Sequence, residues 1–588
     1  MKIYSYDAIV IGSGAAGYNA ICRLKQEGVN AALITEGVSC GTSRNTGSDK
    51  QTYYKLGLGG DAPDSVAKMA QNLFDGGCVD GDNALCEAAL SVRCFMHLCE
   101  LGVAFPTNRY GEYVGYKTDH DPYARATSAG PLTSKFMTEA LQKEAARLGA
   151  DIFDGLLAVE ILKKDDTVCG VLCLDKNSGE FAAFRCGDVM LCTGGPAGIY
   201  ADSVYPVGHT GSTALALLAG AKAQNLAFWQ YGLASVSPRW NVSGSYMQVL
   251  PRLVSLDADG TEHEFLLEHY PDEYTALSTL FLKGYQWPFD PQKAENGSSV
   301  IDLLVYRERV TLGRKVYLDF TKNPFGLEEI EYNKLSAETF GYLKNAEVTF
   351  GTPIQRLEKM NAPAIRLYRS KGVDISREYL EIALCAQHHN GGIAVDMWWQ
   401  SSVKGLFAAG ECAGTHGISR PGGSALNAGQ VGSLRAAQYI AAHPSHLISI
   451  GEFEALINGK TDELRVFSSL DELTAKAQRR MSACAAAVRD KTAMQAALAQ
   501  MKEELDSLGC GICSAQPQYY KLRDILVTQS AVLTAMLDAE KSDPTKVQET
   551  QLTKAGFVCS LRNVRPLPEN NDFFENIWRG YRQNKNIF

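Results

Sequence analysis

The chain has no basic charge excess and no long apolar run. Its 57 Lys and Arg residues are outnumbered by 66 Asp and Glu, a net charge of -9, so the positive patch of a nucleic-acid-binding protein is not expected. No segment approaches the roughly 18 consecutive apolar residues of a membrane-spanning helix. The first predicted strand begins by about Tyr6, which leaves no room for a secretory signal. We therefore expect a cytoplasmic protein with no membrane span and no nucleic-acid partner.

A second pair of closely spaced cysteines is also missing. The 16 cysteines are scattered, and many lie in apolar patterns typical of reduced, buried thiols, as at Cys192, Cys385 and Cys412. The single C-x-x-C motif, Cys510 to Cys513, has no partner pair to complete a zinc or iron-sulfur site. We expect no metal or cluster in this chain. The motif is either two thiols at a helix end or a redox dithiol.

A dinucleotide-binding fingerprint is present at the start of the chain. An apolar strand runs into Gly12-Ser-Gly14-Ala15-Ala16-Gly17, where missing side chains let backbone amides and a helix N-terminus approach a pyrophosphate. Glu36 follows 19 residues after Gly17, at the end of the next predicted strand. A βαβ unit would place this carboxylate on a pair of ribose hydroxyls. The spacing predicts a Rossmann-like dinucleotide site.

A second Gly-rich segment, residues 405–426, lies nearly 400 residues further on. A strand that ends at Gly410-Glu411 is followed by the helix-opening run Gly423-Ser424-Ala425-Leu426. This arrangement suits the ribityl and isoalloxazine end of a flavin, whereas the first fingerprint alone does not distinguish NAD from FAD. Two distant Gly-rich segments indicate one long cofactor.

This pair of segments resembles the flavoprotein subunits of fumarate reductase and succinate dehydrogenase, with L-aspartate oxidase and adenylylsulfate reductase as relatives. Intermediate landmarks follow in order: Thr193-Gly194-Gly195, the helix after Thr210, and His388-His389 before Gly391-Gly392. The resemblance implies bound FAD. The residues expected to contact it are Gly12, Gly14, Ala15, Ala16, Gly17, Glu36, Ser43, Asn45, Thr46, Gly47, Ala158, Thr193, Gly194, Gly195, Glu411, Ser424, Ala425 and Leu426.

The resemblance and the patterning together predict an α/β fold in three parts. A discontinuous, Rossmann-like FAD-binding domain covers residues 1–234 and 351–440. An inserted α+β capping domain, which would enclose the substrate, covers the Pro-punctuated residues 235–350. A helical C-terminal domain covers residues 441–588 and ends in a basic tail from about Leu561. The plainest interpretation of that tail is a strand or arm packed on the body.

In the family, a carboxylate substrate lies over flavin N5. His416-Gly-Ile-Ser-Arg420-Pro-Gly-Gly resembles the family motif H-G-A-N-R-L-G-G, whose Arg binds that carboxylate. A guanidinium suits the role because its fork donates two parallel charge-assisted hydrogen bonds. We expect Arg420, with His416 in the same motif, at the substrate; an Arg that only braces the flavin loop is the other interpretation.

Other family positions are changed. Gly232 stands where the family has a substrate His, and Ser299 falls on the position of the proton-transferring Arg of the capping domain. Candidates for the missing functions are His388 or His389, Tyr231 as a substitute donor, and Arg307 or Arg309. For Arg307 and Arg309 the alternative is a solvated helix face.

The loop Gly41 to Ser48 has Asn45 where complex-forming relatives attach FAD through a histidine. The resemblance therefore predicts a noncovalent flavin; otherwise this loop is only a Ser/Thr/Asn turn.

The resulting hypothesis is an FAD-dependent oxidoreductase that transfers a hydride between flavin N5 and a carbon next to a carboxylate or carbonyl. Because two family positions are lost while Arg420 is kept, the substrate is expected not to be fumarate or succinate. Three alternatives stay open: amine oxidation in the manner of L-aspartate oxidase, a flavin subunit that needs an iron-sulfur or flavin electron-transfer partner, and a flavin-binding redox sensor.

Overall fold

The computed structural model describes residues 1–60, 63–118, 120–509, 511–539 and 543–569. Its strands are β1 (Lys2–Ser5), β2 (Ala8–Ile11), β3 (Ala31–Thr35), β4 (Tyr53–Tyr54), β5 (Ala126–Thr127), β6 (Asp151–Asp154), β7 (Leu156–Lys164), β8 (Thr167–Asp175), β9 (Phe181–Arg185), β10 (Asp188–Leu191), β11 (Ala223–Gln224), β12 (Trp229–Ser235), β13 (Trp240–Asn241), β14 (Arg252–Leu256), β15 (Glu262–His263), β16 (Lys315–Asp319), β17 (Leu380–His389), β18 (Gly392–Ile393), β19 (Leu406–Ala408), β20 (Lys546–Thr553) and β21 (Gly556–Asn563).

The helices are α1 (Ala15–Gln26), α2 (Thr42–Asn45), α3 (Val66–Phe74), α4 (Gly81–Glu100), α5 (Thr133–Arg147), α6 (Thr213–Leu218), α7 (Ser245–Gln248), α8 (Glu273–Leu282), α9 (Ser299–Tyr306), α10 (Ala337–Asn345), α11 (Pro353–Ser370), α12 (Ser424–Ala442), α13 (Ile450–Ile457), α14 (Leu470–Cys484), α15 (Lys491–Leu508) and α16 (Pro517–Asp538).

A five-stranded parallel sheet in the order β19-β10-β2-β3-β6 organises the first part of the fold. Its strands β2, β3 and β10 are buried at every residue and mostly apolar, as expected when helices cover both faces of a parallel sheet. Helix α1 connects β2 to β3 and packs on α12 and α5. Strand β19 joins the sheet from more than 200 residues beyond β10, so the domain is discontinuous. The predicted α/β fold class is confirmed.

A six-stranded sheet in the order β13-β12-β17-β16-β14-β15 forms the second large unit. It contains four strands from residues 235–350, namely β13, β14, β15 and β16, and it also contains the long strands β12 and β17. Strand β12 begins before residue 235 and β17 follows residue 350. The two strands pair antiparallel over the whole length of β12 and so connect the insertion to the first unit.

The C-terminal part begins with four helices, of which α14 and α15 pack on α16. The chain then forms the hairpin β20-β21, which extends a short sheet in the order β18-β11-β20-β21. After the hairpin, Arg565 forms an ion pair with Asp82 near the start of α4. The described start of the tail is therefore an arm packed on the body, while residues 570–588 lie outside the described residues. Among the described helices, none combines the length and apolarity required to cross a membrane.

Candidate active site

A cavity of about 550 Å³ lies between the carboxyl ends of the parallel strands and the six-stranded sheet. It runs from Glu36 at one end to Arg420 and Gln387 at the other, and residues of the insertion such as Trp287 and Pro288 cover it. Ligands of doubly wound folds bind at this edge because the loops after the strands leave a crevice there.

The first Gly-rich turn forms one wall of the cavity. Gly12 has φ +109°, a conformation that favours glycine, and a Cβ there would overlap the carbonyl of Cys192. A Cβ on Gly17 would overlap the carbonyl of Gly12, so this glycine lets α1 pack against the turn and does not itself line the cavity. Gly14 precedes the N-terminus of α1, and Ala15 and Ala16 line the cavity beside it. The amides at this helix end suit a pyrophosphate.

Glu36 lies at one end of the cavity, just after β3. Its carboxylate forms ion pairs with Lys521 Nζ at 2.9 Å and Lys176 Nζ at 3.5 Å. Lys521 belongs to α16 and also donates a hydrogen bond to the carbonyl of Gly208 at 2.8 Å. The C-terminal part therefore helps to orient the carboxylate expected at a ribose. Ala158, on β7, lines the cavity nearby.

The turn after β10 forms the middle of the cavity. Thr193 and Gly194 line it, and the hydroxyl of Thr193 is buried with no hydrogen-bond partner among the described residues. A Cβ on Gly195 would overlap the Glu411 carboxylate, so only a glycine lets Glu411 pack against this turn. Gly195 itself does not line the cavity.

Glu411 accepts hydrogen bonds from the hydroxyl of Tyr205 and from the backbone amide of His389, the latter at 2.8 Å. Burial raises the pKa of its carboxyl to about 7, although these donors and Arg420 act in the opposite direction. A carboxyl with this environment can accept further hydroxyl donors, such as those of a ribityl chain.

The loop that carries α2 lies beside the first turn. Ser43 Oγ accepts a hydrogen bond from the amide of Ala15, and Thr46 Oγ1 donates one to the carbonyl of Val204 at 2.8 Å. Ser43, Thr46 and Gly47 line the cavity. Asn45 does not, because its amide donates to the carbonyls of Ser39 and Gly41 within its own loop.

Helix α12 points its N-terminus toward the same region. Ala425 and Leu426 line the cavity, while Ser424 lies just behind it with its hydroxyl buried and unpartnered among the described residues. Gly423 precedes the helix with φ +88°. The N-termini of α1 and α12 therefore flank one cavity, which suits a cofactor with a pyrophosphate and a polar ring edge.

Arg420 lies at the far end of the cavity. Its Nη2 donates to Gln230 Oε1 at 2.7 Å, and its buried Nε has no partner among the described residues. No ion pair of Arg420 with a carboxylate occurs in the described part of the chain. Burial lowers the pKa of this guanidinium to about 10, so it stays charged at neutral pH.

The three predicted histidines are close together but face different surroundings. His388 lines the cavity, and its Nδ1 lies 3.2 Å from Asn390 Oδ1. His389 is fully buried, stacks on Trp229 at 4.1 Å and does not reach the cavity. The ring of His416 packs edge-to-face on His388, with 4.9 Å between centroids, behind the cavity wall. Desolvation lowers the pKa of all three, that of His389 to about 3, so they are neutral.

A residue that the sequence reasoning missed, Gln387, completes the wall. The register of β12 against β17 shifts between Gln230 and Tyr231, so that His388 faces Gln230, Ala386 faces Tyr231, and Gln387 is the extra residue of a β-bulge. The bulge places Gln387 next to His388 on the cavity side. A Cβ on Gly232 would lie 2.7 Å from Gln387 Nε2, so this amide fills the space beside the missing histidine. The sequence signal for this residue was Gly232, because a glycine leaves room for a longer side chain, here Gln387, on the neighbouring strand.

Other predicted positions lie away from the cavity. Tyr231 points to the opposite face of β12, where its hydroxyl meets that of Tyr200 at 3.0 Å, because side chains alternate along a strand. Arg307 is half exposed and pairs with Glu268. Arg309 pairs with Asp202 and Glu381. Ser299 is buried and accepts a hydrogen bond from the amide of Asp290.

Within the described residues, no group of three or more His, Cys, Asp or Glu side chains is arranged to hold a metal ion. Cys513 is half-buried, whereas Cys510, the other half of the C-x-x-C motif, lies outside the described residues.

Two observations make this a flavin site. One cavity joins a ribose-binding type of carboxylate, Glu36, to a polar pocket around Arg420, and its walls carry close-approach glycines and buried hydroxyls that have no partner among the described residues. The fold and the site define a Rossmann-like FAD-binding oxidoreductase.

Comparison with known proteins gives the family. Residues 7–426 match the family described as FAD binding domain, and the chain belongs to this family. One subunit of the fumarate reductase (CoM/CoB) of Methanothermobacter marburgensis is 25% identical over 570 residues, which cover 92% of this chain and 93% of that protein. An L-aspartate oxidase of Agrobacterium fabrum is 26% identical over 450 residues, with 74% of each covered.

Solved structures share the fold. The apo form of the Mycobacterium smegmatis Sdh1 complex superimposes with a TM-score of 0.73 at 20% identity and covers 98% of each chain. A quinol-fumarate reductase with menaquinol gives a TM-score of 0.72 at 16% identity and covers 96% of this chain and 99% of that one. The predicted resemblance to fumarate reductase and succinate dehydrogenase flavoproteins is confirmed, and so is FAD as the cofactor.

Proposed function

We propose that this FAD-dependent oxidoreductase transfers a hydride between flavin N5 and a carbon adjacent to a carboxylate or carbonyl. The observation that carries the proposal is Arg420, a charged guanidinium on the cavity wall whose partner is a neutral amide. Glu411 acts on Arg420 only at a distance, and a buried cation that no carboxylate contacts directly is costly unless a ligand supplies one. A carboxylate substrate supplies it.

The residues of this chain position such a substrate. Arg420 binds one carboxylate in fork geometry, while Gln387, whose two amide atoms are both unpartnered among the described residues, reaches a second polar group of the substrate. His388 Nε2 is likewise buried and unpartnered in this part of the structure. Trp287 and Pro288 of the insertion cover the cavity and exclude water. When bound, FAD supplies a redox-active ring that accepts or donates the hydride.

The pattern of changed positions supports a substrate other than fumarate or succinate. Gln230 contacts Arg420 and Gln387 lines the same cavity, so the second polar group that these amides favour is neutral, such as a carbonyl. Ser299 is uncharged and lies outside the cavity, so it cannot pair with a second carboxylate of the substrate. We infer an acid with one carboxylate beside the reacting carbons.

Binding and turnover test this proposal separately. The oxidised protein is titrated with saturated monocarboxylates and succinate while the flavin absorption spectrum is followed. Arg420→Gln should raise the dissociation constant about 100-fold, because hydrogen bonds to charged groups contribute roughly 1.5–3 kcal/mol each. Arg309→Gln, which alters an arginine outside the cavity, is the control and should bind like the wild type. Equal affinity of the Arg420 variant and the wild type would refute the assignment.

For turnover, the protein is reduced anaerobically with dithionite and mixed with fumarate, crotonate or cinnamate. Return of the oxidised flavin spectrum with a monocarboxylate identifies a reductase. Faster reoxidation by fumarate than by any monocarboxylate would contradict the proposed substrate class.

Amine oxidation is a second candidate, favoured by the similarity to an L-aspartate oxidase. It predicts that L-aspartate or another amino acid bleaches the flavin and that ammonia is formed. If the amino acids leave the flavin oxidised, this candidate is excluded.

An electron-transfer partner is a further proposal, since a similar protein is named as one subunit of an enzyme. Affinity purification from the native host under anaerobic conditions should then recover an iron-sulfur or flavin protein. We also propose that the flavin is noncovalent, so that acid precipitation should release it into the supernatant. The cytoplasmic location stays a prediction.

A further inference from the structure

A second, much smaller cavity lies behind Arg420. Its volume is about 10 Å³, the size of one water molecule, and it lies between α3, α4 and the segment that leads into α12. Leu73, Val79 and Ala84 form its apolar side. The polar side consists of Glu87, Thr415, His416, Arg420 and Ser424.

The polar groups around this cavity share an unusual property. Each presents at least one buried atom that has no hydrogen-bond partner among the described residues. These atoms are Glu87 Oε1, Thr415 Oγ1, both ring nitrogens of His416, Arg420 Nε and Ser424 Oγ. Buried polar atoms are nearly always paired, so six such atoms around one water-sized space indicate a built polar site.

Glu87 is the acidic member of this site. Helix α4 carries it inward, and only 4% of the residue is exposed. The Thr415 hydroxyl faces the carboxyl without a hydrogen bond of normal geometry, and burial raises the pKa of Glu87 to about 8. His416 and Arg420 are the charged or titratable groups that line the same cavity, and Cys86, the preceding residue, is a further titratable group near the carboxyl. The apolar residues of α3 and α4 close the remaining side.

The site connects to the main cavity through one pair of rings. The His416 ring packs against that of His388 at 4.9 Å, and His388 lines the main cavity. The groups therefore run in the order Glu87, cavity, His416, His388, substrate. Arg420 touches both cavities and holds the substrate end in place.

We propose that Glu87, the small cavity and His416 form an internal proton reservoir for the reaction in the main cavity. This inference rests on the proposed function, in which each hydride moved to carbon is accompanied by one proton on the neighbouring carbon. In the reducing direction the Glu87 O–H bond breaks and a water molecule in the small cavity carries the proton to His416. A second water molecule bridges His416 and His388, whose ring nitrogens make no direct hydrogen bond, and His388 gives up its proton as the new C–H bond forms. Glu87 is left as a carboxylate until a proton from solvent restores it. The oxidising direction reverses every step.

The reservoir fills a need that the changed family positions create. Ser299 lies where a proton-transferring Arg is expected, and it is bonded to Asp290 instead. Arg307 and Arg309 are engaged in ion pairs away from the cavity. A proton donor on α4 thus substitutes for one in the insertion.

The variant Glu87→Gln tests the proposal, with Glu100→Gln at the exposed end of the same helix as the matched control. The infrared difference spectrum of wild type minus Glu87→Gln at pH 6 should contain a protonated-carboxyl band that shifts in D₂O and fades as pH rises through about 8, whereas the difference spectrum for Glu100→Gln should lack it. This measurement needs no substrate. If the wild type and the Glu87 variant have identical carboxyl bands, the reservoir is ruled out.

Stopped-flow reoxidation of the reduced protein by the fastest acid of the panel gives the second measurement. The Glu87 variant should bind that acid with wild-type affinity, react at least tenfold more slowly, and lose the decline in rate near pH 8, because a positioned proton donor contributes at least this much. His416→Gln should be slowed similarly. Unchanged rates and pH profiles in both variants would overturn the proposal. If no acid reoxidises the flavin, the proposed function fails, and the infrared band alone decides whether Glu87 is held protonated.

Discussion

The buried carboxyl of Glu87 makes the stability of the protein depend on pH in a defined way. Burial raises its pKa from 4.5 to about 8 in the folded protein. Between these two values the folded state binds a proton that the unfolded state has lost. The stability contribution of the protonated group is therefore complete below pH 4.5 and falls as pH rises through about 8.

The expected magnitude follows from the shift. At 1.36 kcal/mol per pKa unit, ionisation of Glu87 lowers the free energy of unfolding by about 5 kcal/mol between pH 4.5 and alkaline pH. An unfolding entropy of about 2.1 cal/mol/K per residue over the 588-residue chain converts this into about 4 °C of melting temperature. Gln cannot ionise, so Glu87→Gln removes the dependence.

Scanning calorimetry of the wild type and the Glu87→Gln variant at pH 5 and pH 9 measures the effect. The melting temperature of the variant, relative to the wild type, should be about 3 °C higher at pH 9 than at pH 5, because about 4 kcal/mol of the effect falls within this pH interval. The control Glu100→Gln should keep a constant offset, because Glu100 is exposed. A constant offset for Glu87→Gln would show that this carboxyl is ionised at neutral pH and would refute the argument from burial.

Three further substitutions test other parts of the fold. Gly17→Ala should abolish FAD binding, since a Cβ there overlaps the carbonyl of Gly12, and retained yellow colour after purification would contradict this. Asp302→Asn should destabilise the protein by about 3–5 kcal/mol in urea unfolding, because it leaves the buried Lys283 charge without its carboxylate at 2.5 Å, and adding Lys283→Met should recover most of the loss. Gln387→Leu should weaken binding of the acid about tenfold through the loss of a hydrogen bond of about 1 kcal/mol or more, with flavin content unchanged. A Gln387 variant that binds the acid normally would remove this residue from the substrate site.

Several features of the molecule could be predicted from the sequence because their causes are local. The strand, turn and helix around Gly12 and Gly17 follow from the steric demands of a close backbone approach, and Glu36 follows from the length of one βαβ unit. The match of residues 405–426 to the flavin end of the site rests on the same local logic. The discontinuity of the FAD-binding domain could also be predicted, because β19 is a short apolar run like β10 although it lies more than 200 residues later in the chain.

Tertiary structure alone decided which candidate side chains meet. Tyr231 and Gln230 are neighbours in the chain, but a strand turns them to opposite faces, and a bulge visible only in the pairing of β12 with β17 brings Gln387 beside His388. His388, His389 and His416 look alike in sequence, yet only His388 lines the main cavity. Glu87 carries no motif at all. It becomes notable because α4 packs its carboxyl against a segment more than 300 residues away, and burial, which depends on the whole fold, determines its protonation.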